Sequence, residues 1–344
     1  MSNRPITPQL ESGAFQEELT AACPVFAVIV PLYNARQYLH EALLAVQAQS
    51  FGDFEVVMVD DGSTDDTAQI ALGYVRADPR FHLIRTSNRG IAASRNIAIA
   101  HSSAPWIALC DGDDVWDPQK LEVQSRVLRH WDDRRLGRLA AVGTSGHFIN
   151  ASGRAVQTID PPAAPWPDTV DLDTGPALKL INSSVVFSRD LFTQAGGYRQ
   201  DYNPTEDLDL WLRLRALGTV VNVPERLTGY RMHGRNLSHG SYVSMLLHAE
   251  RAYANARRRA DHLQEWTHAT YMAELRRDPV GHARHLRALR QMGYYNMSKV
   301  SLFNRRYLAA VAALVVAAGL NPRRTMRLIM RSRTLRRLLP GRKA

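Results

Sequence analysis

Apolar and polar segments alternate regularly over the first 130 residues of the chain. Short apolar runs rich in β-branched residues predict buried strands, and the segments between them carry apolar residues at helical spacing. Leu39, Leu43 and Val46, for example, recur on one face of a helix. The predicted strands are 26–31, 54–59, 81–85 and 106–110. Asn34 is the predicted N-cap of the first helix, and three further helices are predicted over about 65–77, 91–100 and 118–131.

Strand–helix alternation of this kind favours an α/β fold with a mostly parallel central sheet flanked by helices. In such sheets ligands bind at the carboxyl ends of the strands. The unusual polar residues of this chain all follow predicted strands directly. They are Tyr33-Asn34, Asp60-Asp61, Asn88 and the run from Asp111 to Asp114. The pattern therefore predicts a binding site at this edge of the sheet.

The pattern is less regular after residue 150. Many Pro, Asp, Gly and Thr residues predict a long loop over 151–176. Beyond it we expect strands over 182–188, 219–223 and 227–231, with a helix over 206–217. From residue 243 to the end the pattern is helical and Arg-rich, and it includes an apolar helix over 301–320. We therefore expect three parts: a mobile extension (1–24), a catalytic domain (25–242) and a basic helical C-terminal region (243–344).

Composition narrows the class of protein. A 45% hydrophobic and 22% charged chain of 344 residues fits a globular protein with a real core. Cys23 and Cys110 form no CxxC pair, which argues against a disulfide framework or a cysteine zinc site and favours a reducing, cytoplasmic setting. Residues 1–24 lack the apolar core of a signal peptide. The longest apolar run, Tyr307–Leu320, is shorter than the roughly 20 residues that cross a bilayer.

The net charge of +10 is concentrated at the C-terminal end. Residues 243–344 contain 21 Lys and Arg against 5 Asp and Glu, whereas the first 242 residues contain 22 against 28. Such a basic region is attracted to an anionic surface, either lipid or nucleic acid. Its apolar segment favours peripheral contact with an anionic membrane, at the inner face of the cell membrane. The alternative is a helix packed on the catalytic domain with a solvated basic tail.

Two acidic motifs follow strands. Carboxylates clustered as in Asp111-Gly112-Asp113-Asp114 repel one another unless a cation or a donor neutralises them. Mg²⁺ or Mn²⁺ with oxygen ligands fits, and would also bind a diphosphate; the alternative is a solvated turn that caps the next helix. Asp60 to Asp65 suits a capped turn, or a carboxylate that accepts hydrogen bonds from a base or a ribose.

Six segments, in this order, resemble those of the inverting family 2 glycosyltransferases of the GT-A fold. They are Val28 to Asn34 (the first strand), Asp60 to Asp65 (DDGSTD), Asn88 to Asn96 (NxGxxxxRN), Asp111 to Asp113 (DxD), Glu206-Asp207 with Trp211 (ED) and Tyr230 to His233 (YRxH). The segments from Asn182 and from Ala195 to Tyr198 resemble the stretch that borders the acceptor. The resemblance covers 25–240 and does not extend over 1–24 or 245–344.

The resemblance implies roles for the matching residues. Asp207 would be the general base with Glu206 beside it, and Arg95 would contact the nucleotide or the diphosphate. The implied nucleotide-sugar site consists of Pro31, Tyr33, Asn34, Asp60, Asp61, Arg95, Asp111 and Gly112, and the implied metal site of Asp113, Asp111 and His233. Taken alone, Glu206-Asp207 also suits the start of a helix, and His233 also suits a structural role.

The expected function is therefore transfer of a sugar from a nucleotide-diphosphate donor to a hydroxyl of a glycan or lipid-linked acceptor, in cell-surface polysaccharide biosynthesis. Tyr33 and Asp61 favour UDP as the nucleotide. The alternatives are a metal-dependent nucleotidyltransferase, or a nucleotide-sugar- or nucleic-acid-binding protein without catalysis. No GxGxxG follows the first strand and no P-loop is present, which argues against a dinucleotide dehydrogenase and a P-loop enzyme. No basic motif interleaved with aromatic residues supports nucleic-acid binding.

Overall fold

Four parallel strands form one side of the sheet in the computed structural model, which describes residues 23–161, 180–233 and 242–331. They are β1 (Phe26–Leu32), β2 (Phe54–Asp60), β3 (Phe81–Arg85) and β4 (Trp106–Leu109), joined by helices α1 (Leu39–Gln47), α2 (Thr67–Ala77) and α3 (Ile91–Ala100). All seven residues of β2 are buried, as a strand covered on both faces requires. The predictions for residues 1–22, 162–176 and 332–344 lie outside the described residues.

The other side of the sheet is mixed. It contains β5 (Val115–Trp116), β6 (Leu139–Ile149), β7 (Ala155–Ile159), β8 (Val186–Ser188) and β9 (Thr219–Arg231). The strand order is β3-β2-β1-β4-β8-β6-β9-β5, with β7 paired to β6. β8 runs antiparallel to both of its neighbours, whereas β6 and β9 are parallel. The predicted α/β class with a largely parallel central sheet is confirmed.

The remaining helices cover the sheet and extend beyond it. They are α4 (Lys120–His130), α5 (Asp133–Leu136), α6 (Arg189–Ala195), α7 (Glu206–Arg215), α8 (Tyr242–Ala260), α9 (His268–Leu275), α10 (Pro279–Phe303), α11 (Tyr307–Leu320) and α12 (Pro322–Arg331), with short 3₁₀ turns at Asn182–Ser184 and Gln200–Tyr202. Within the described ranges, no helix is both long enough and apolar enough to span a membrane.

Period-2 alternation along the strands creates a core on each face of the sheet. In β1, Phe26 and Val28 face the core beneath α1, α2 and α4, whereas Ala27 and Ile29 face the core beneath α3, α6 and α7. Helix α8 also contributes to the second core through Ala252. The start of the basic C-terminal region is therefore packed into the catalytic fold.

Two predicted features near the strands are wrong in detail. Asn34 does not cap a helix, because its backbone is left-handed (φ 50°) and its side-chain oxygen accepts the amide hydrogen of Thr64 at 2.8 Å. The strands predicted over 219–223 and 227–231 form the single strand β9. The register against β6 shifts between Val223 and Arg226, so a bulge absorbs Pro224, which has no amide hydrogen to donate.

Two further segments differ from the sequence prediction. Residues 182–184 form a 3₁₀ turn, and only Val186–Ser188 is a strand. The helix predicted over 301–320 is interrupted between Phe303 and Tyr307, where Arg305 has a φ of 59°. Asn304 occupies this interruption and hydrogen-bonds to the catalytic fold, a tertiary contact that helical spacing cannot reveal.

Gly146 of β6 lies close against the backbone of β9. A Cβ atom there would lie 2.2 Å from the carbonyl oxygen of Thr228 and 2.8 Å from Cδ1 of Ile181. We expect Gly146→Ala to lower the free energy of unfolding by about 1–3 kcal/mol through overpacking, measured by urea denaturation. Gly73→Ala, in exposed open space on α2, is the matched control and should raise it by about 0.5–1 kcal/mol. Equal effects of the two changes would contradict this prediction.

Candidate active site

The polar residues that follow β1, β2 and β4 lie together at the carboxyl edge of the parallel strands. The register pairs Leu32 with Asp60, so β1 and β2 end side by side, and it pairs Ile29 with Leu109, so β4 ends three residues earlier along β1. Two backbone hydrogen bonds continue this alignment past the strand ends: from Asp61 to Leu32 at 2.8 Å, and from Cys110 to Ile29 at 3.0 Å. The site is therefore built on rigid elements at the edge that the sequence pattern indicates.

Asp60 and Asp61 hold the loops around the end of β2. Asp61 accepts the amide hydrogens of Arg89 and Gly90, each at 2.8 Å, one on each carboxylate oxygen. Asp60 is fully buried and accepts the amide hydrogen of Ser63 at 3.0 Å. Both carboxylates therefore fix the backbone of the loops at this edge of the site.

Tyr33 and Asn34 follow β1 at the same edge of the sheet. Tyr33 exposes 55% of its surface, which leaves its ring accessible to a planar partner. Asn34 is exposed but fixed, because its amide donates to the Ser63 hydroxyl at 2.9 Å and its side chain accepts from Thr64. Pro31 is partly buried within β1. Because Asn34 is bound to the loop that follows β2, these residues lie at the same edge of the sheet as Asp61.

Arg95 joins two acidic motifs that are distant in sequence. It lies on α3, is 2% exposed, and donates to Asp111 and to Glu206, each at 2.7 Å. Burial alone would lower its pKa, but Asp111, the Tyr198 ring and Glu206 together raise the pKa above the ordinary value of arginine. Both terminal nitrogens are engaged by carboxylates, so Arg95 holds the DxD segment against the start of α7.

Glu206 and Asp207 begin α7 and differ in environment. Glu206 is buried, and burial raises its pKa to about 7 although Arg95 opposes the rise. Asp207 is half-buried, and burial likewise raises its pKa against the effect of Arg95. Its Oδ1 accepts the amide hydrogen of Leu208 at 2.7 Å, a contact within the first turn of the helix. Of the two, Asp207 has the carboxylate that an incoming group could reach.

The three aspartates of the DGDD run, Asp111, Asp113 and Asp114, lie in different environments. Asp111 uses one oxygen for Arg95 and the other for the Asn182 amide at 3.0 Å. Asp114 is buried and accepts from the Arg231 amide at 2.8 Å and from the Ser183 hydroxyl, and its pKa is raised by burial and by Asp113. A Cβ atom at Gly112 would lie 3.0 Å from Cδ2 of Leu32, so a larger residue there would press on that side chain. Asp114 therefore serves the fold, and Asp113 remains the partly exposed carboxylate.

Asp113 and His233 face each other. The distance from Asp113 Oδ2 to His233 Nε2 is 2.9 Å, and the His233 ring lies 4.9 Å from the ring of Tyr38. A carboxylate oxygen and an imidazole nitrogen at this spacing fit two ligands of one divalent cation. Among the described residues, no cluster of three His, Cys, Asp or Glu side chains suited to a metal is present. A cation here would complete its coordination shell with water molecules and with oxygen atoms of a bound substrate, as Mg²⁺ commonly does.

Arg231 is a site residue that the sequence analysis did not single out. It is 1% exposed, donates from Nε to the Asp113 carbonyl at 2.6 Å and from Nη2 to Glu41 at 2.7 Å, and lies over the Tyr38 ring. Asn182, which holds Asp111, was likewise not assigned this role. Arg231 stands within the YRxH segment, and that was the only sequence signal available for it.

Comparisons with known proteins indicate which proteins the chain resembles. Residues 27–161 match the model of the family described as Glycosyl transferase family 2. The chain is 26% identical to an uncharacterized glycosyltransferase of Rickettsia prowazekii over 61% of this chain and 64% of that protein. It is 29% identical to the putative teichuronic acid biosynthesis glycosyltransferase TuaG of Bacillus subtilis, over 62% and 82%. The aligned region covers less than two thirds of the length of the R. prowazekii protein and 33% of the length of a Rickettsia conorii glycosyltransferase.

Two solved structures show the same fold. S. aureus TarS in complex with UDP-GlcNAc aligns with a TM-score of 0.54 and 18% identity, over 85% of this chain and 90% of that chain. The mannosyltransferase PcManGT from Pyrobaculum calidifontis, in complex with GDP-Man and Mn²⁺, aligns with a TM-score of 0.52 and 17% identity, over 92% and 83%. The alignments extend beyond the family match and include part of the C-terminal helical region.

Proposed function

We propose, from the premise that the chain belongs to glycosyltransferase family 2, that it is an inverting enzyme that transfers a sugar from a nucleotide-diphosphate donor to an acceptor hydroxyl. The observation that carries the proposal is the buried link from Asp111 through Arg95 to Glu206. It holds the DxD segment and the Asp207 carboxylate in one fixed arrangement. Preorganisation of this kind is what transfer between two bound substrates requires.

UDP is the proposed nucleotide of the donor. TarS was solved with UDP-GlcNAc and PcManGT with GDP-Man, so related folds accept nucleotide-diphosphate sugars. The exposed Tyr33 ring and the Asp61 carboxylate support a base pocket that Pro31, Asn34 and Asp60 complete. An aromatic face and an adjacent acceptor suit the ring and the N–H edge of uracil.

A divalent cation, Mg²⁺ or Mn²⁺, is the proposed cofactor. Asp113 and His233 would hold it, with Asp111 as the neighbouring carboxylate. When bound, the cation would supply charge stabilisation to the departing diphosphate. The chain's own contribution is to position these ligands: Arg231 holds the Asp113 backbone, and Tyr38 packs on the His233 ring.

Asp207 is the proposed general base. It would accept the proton of the acceptor hydroxyl while the hydroxyl oxygen bonds to the anomeric carbon and the bond from that carbon to the diphosphate breaks, which inverts the anomeric configuration. A raised pKa brings a carboxylate nearer the working pH of a base. Glu206 is bound to Arg95, so we assign it the role of positioning Arg95 and α7.

The acceptor is proposed to be a glycan or a lipid-linked chain in cell-surface polysaccharide biosynthesis, handled at the cytoplasmic face of the membrane. The B. subtilis relative named for teichuronic acid biosynthesis supports this class of acceptor. We assign the transfer to a catalytic domain over 25–242 and membrane association to the basic region over 243–344. A nucleotidyltransferase remains the second candidate, since it also uses carboxylates and Mg²⁺ at strand ends.

Calorimetric titration of UDP, GDP, dTDP and CDP, with and without Mn²⁺, tests the donor proposal. We expect one nucleotide, UDP, to bind in a metal-dependent way, and Asp113→Ala to weaken that binding at least about tenfold. Asp53→Ala, at an exposed acid just before β2, is the control and should leave binding unchanged.

Three outcomes would contradict these proposals. Binding of no nucleotide by folded protein in the presence of metal would remove the donor proposal. Equal binding with and without metal would remove the cation. Transfer of the nucleotidyl group instead of the sugar, identified by NMR of the products, would favour the nucleotidyltransferase.

A further inference from the structure

Helix α11 has two apolar faces, and within the part of the chain that the structure describes only one of them is buried. Ala310, Ala313 and Ala317 are buried. On the outside, Leu308 is 90% exposed, Val311 50% and Val315 65%, at the i, i+3, i+7 spacing of a single stripe. A helix at a protein surface ordinarily places polar residues on its outer face. None of the 14 residues of α11 is charged.

The buried side of this region already forms a small core of its own. Tyr295 of α10, Ala317 of α11 and Ile329 of α12 pack together, with Leu314 and Leu328 beside them. Two hydrogen bonds join α10 to α12: the Tyr295 hydroxyl donates to the Leu328 carbonyl at 3.1 Å, and the side-chain NH₂ of Gln291 donates to the Thr325 hydroxyl at 2.8 Å. The three helices are thus held together without the outer stripe, so the stripe is available to a partner.

Positive charge borders the stripe at both ends. Arg305 and Arg306 are exposed immediately before α11, and Arg323 and Arg327 are exposed on α12. Met326 on α12 is 54% exposed and adds to the apolar surface. Residues 279–344 contain 15 Lys and Arg and no Asp or Glu. An apolar stripe flanked by guanidinium groups is the arrangement that suits an interface between hydrocarbon and anionic headgroups.

We propose that α11 and α12 form a docking surface for an anionic lipid bilayer. The docking surface comprises the apolar side chains of Leu308, Val311, Val315 and Met326 and the guanidinium groups of Arg305, Arg306, Arg323 and Arg327. The apolar side chains enter the boundary between headgroups and acyl chains, and the arginines contact lipid phosphates. Helices α11 and α12 lie in the plane of the boundary between the bilayer and water.

Charge and apolar character together favour a bilayer over two other occupants. A second copy would bring the arginine flanks of two stripes together, and their repulsion opposes a self-complementary dimer. A nucleic acid would bind the arginines but offers no hydrocarbon to the leucine and valine side chains. A bilayer offers hydrocarbon to the apolar side chains and anionic headgroups to the arginines.

The docking surface is joined to the active site through Asn304. The Asn304 side chain donates to the carbonyl of Met232 at 2.9 Å and accepts the amide hydrogen of Ala151 at 2.9 Å. Met232 stands between Arg231 and His233, so the start of α11 is fixed to the segment that borders the proposed cation. Docking would thereby place the site beside the bilayer, where a lipid-linked acceptor presents its hydroxyl. Docking specifies the membrane association proposed above for the basic region, and this last step rests in addition on the proposed transfer to a lipid-linked acceptor.

Vesicle flotation with the full-length chain tests the proposal, using vesicles of phosphatidylcholine alone and of an equal mixture with phosphatidylglycerol. We expect wild type to float with the anionic vesicles and to detach as salt rises. The triple variant Leu308→Ser, Val311→Ser, Val315→Ser should bind at least about tenfold more weakly. Arg305→Gln with Arg306→Gln should lose the preference for anionic vesicles. The control, Leu44→Ser, Leu72→Ser, Leu217→Ser, changes exposed leucines of the catalytic domain and should bind as wild type.

Several results would overturn the docking proposal. Failure of the wild type to float with anionic vesicles would overturn it. A loss of binding by the control triple variant as large as that of the stripe variant would also overturn it. A dimer of wild type in analytical ultracentrifugation without vesicles, abolished by the stripe variant, would assign the face to a second copy. Binding to duplex DNA that needs Arg305 and Arg306 but not the stripe would assign it to nucleic acid. Circular dichroism of the same variants checks their folding. Absence of UDP binding from every folded sample, wild type included, would contradict the proposed sugar transfer and leave the docking result standing.

Discussion

Asp207→Asn is expected to lower the rate of sugar transfer by about 10²–10⁴-fold while leaving nucleotide binding unchanged. The amide keeps the shape of the side chain but does not accept the proton of the acceptor hydroxyl. Asp207 is half-buried at the start of α7, and its hydrogen bond to the Leu208 amide is one that an amide oxygen also makes. Single-turnover transfer measures the rate, and calorimetric titration with the nucleotide measures binding.

The pH profile separates a base from a merely structural residue at position 207. Burial raises the pKa of Asp207, so the ionised form is lost as the pH falls through a value above the ordinary 3.8 of aspartate. The wild-type rate should therefore decline on the acid side, and the residual rate of Asp207→Asn should lack that decline. Asp133→Asn, at an exposed acid in the first turn of α5, is the matched control and should behave as wild type. An unchanged rate for Asp207→Asn would place the base elsewhere.

Arg95→Met is expected to lower the free energy of unfolding by about 3–5 kcal/mol. The change removes the partner of two carboxylates, Asp111 and Glu206, and leaves Glu206 buried without a counter-charge. The guanidinium is itself 2% exposed, so solvent screens the interaction weakly. Urea denaturation followed by circular dichroism measures the loss.

The pH dependence of that loss follows from Glu206. Its pKa in the folded state, about 7, lies above the ordinary 4.5, so the stability that protonated Glu206 contributes is lost as the pH rises through about 7. Arg95 lowers this pKa, so without Arg95 the carboxyl holds its proton more strongly and the deficit of Arg95→Met grows with rising pH. Adding Glu206→Gln should restore part of the stability, because the amide carries no charge.

Arg36→Met is the matched control for the arginine. It breaks an ion pair with Asp66 in which both side chains are more than 60% exposed, and such pairs contribute about 0–1 kcal/mol. A loss for Arg95→Met no larger than that of Arg36→Met would show that the buried link is not what holds the two acidic motifs together.

The local pattern of the sequence was sufficient for the parallel half of the sheet. β3 and α3 have the bounds that were predicted, because each lies within one uninterrupted run whose period of two or of 3.6 residues is set by burial against the sheet. The resemblance to glycosyltransferase family 2 was also readable from the sequence, because six segments in a fixed order carry it jointly, and residues 27–161 match the model of that family. Patterns of this kind depend on residues close together in the chain.

Only the tertiary structure decided which polar residues meet. Arg95 and Glu206 are 111 positions apart, and Asp113 and His233 are 120 apart. The adjacent residues Asp113 and Asp114 look alike in the sequence. In the structure Asp113 is partly exposed and is the candidate ligand, whereas Asp114 is buried and hydrogen-bonded within the fold. The interruption at Asn304 likewise depends on a carbonyl 72 positions away. Periodicity records which face of an element is buried, whereas the partner of a charge is set by how distant elements pack.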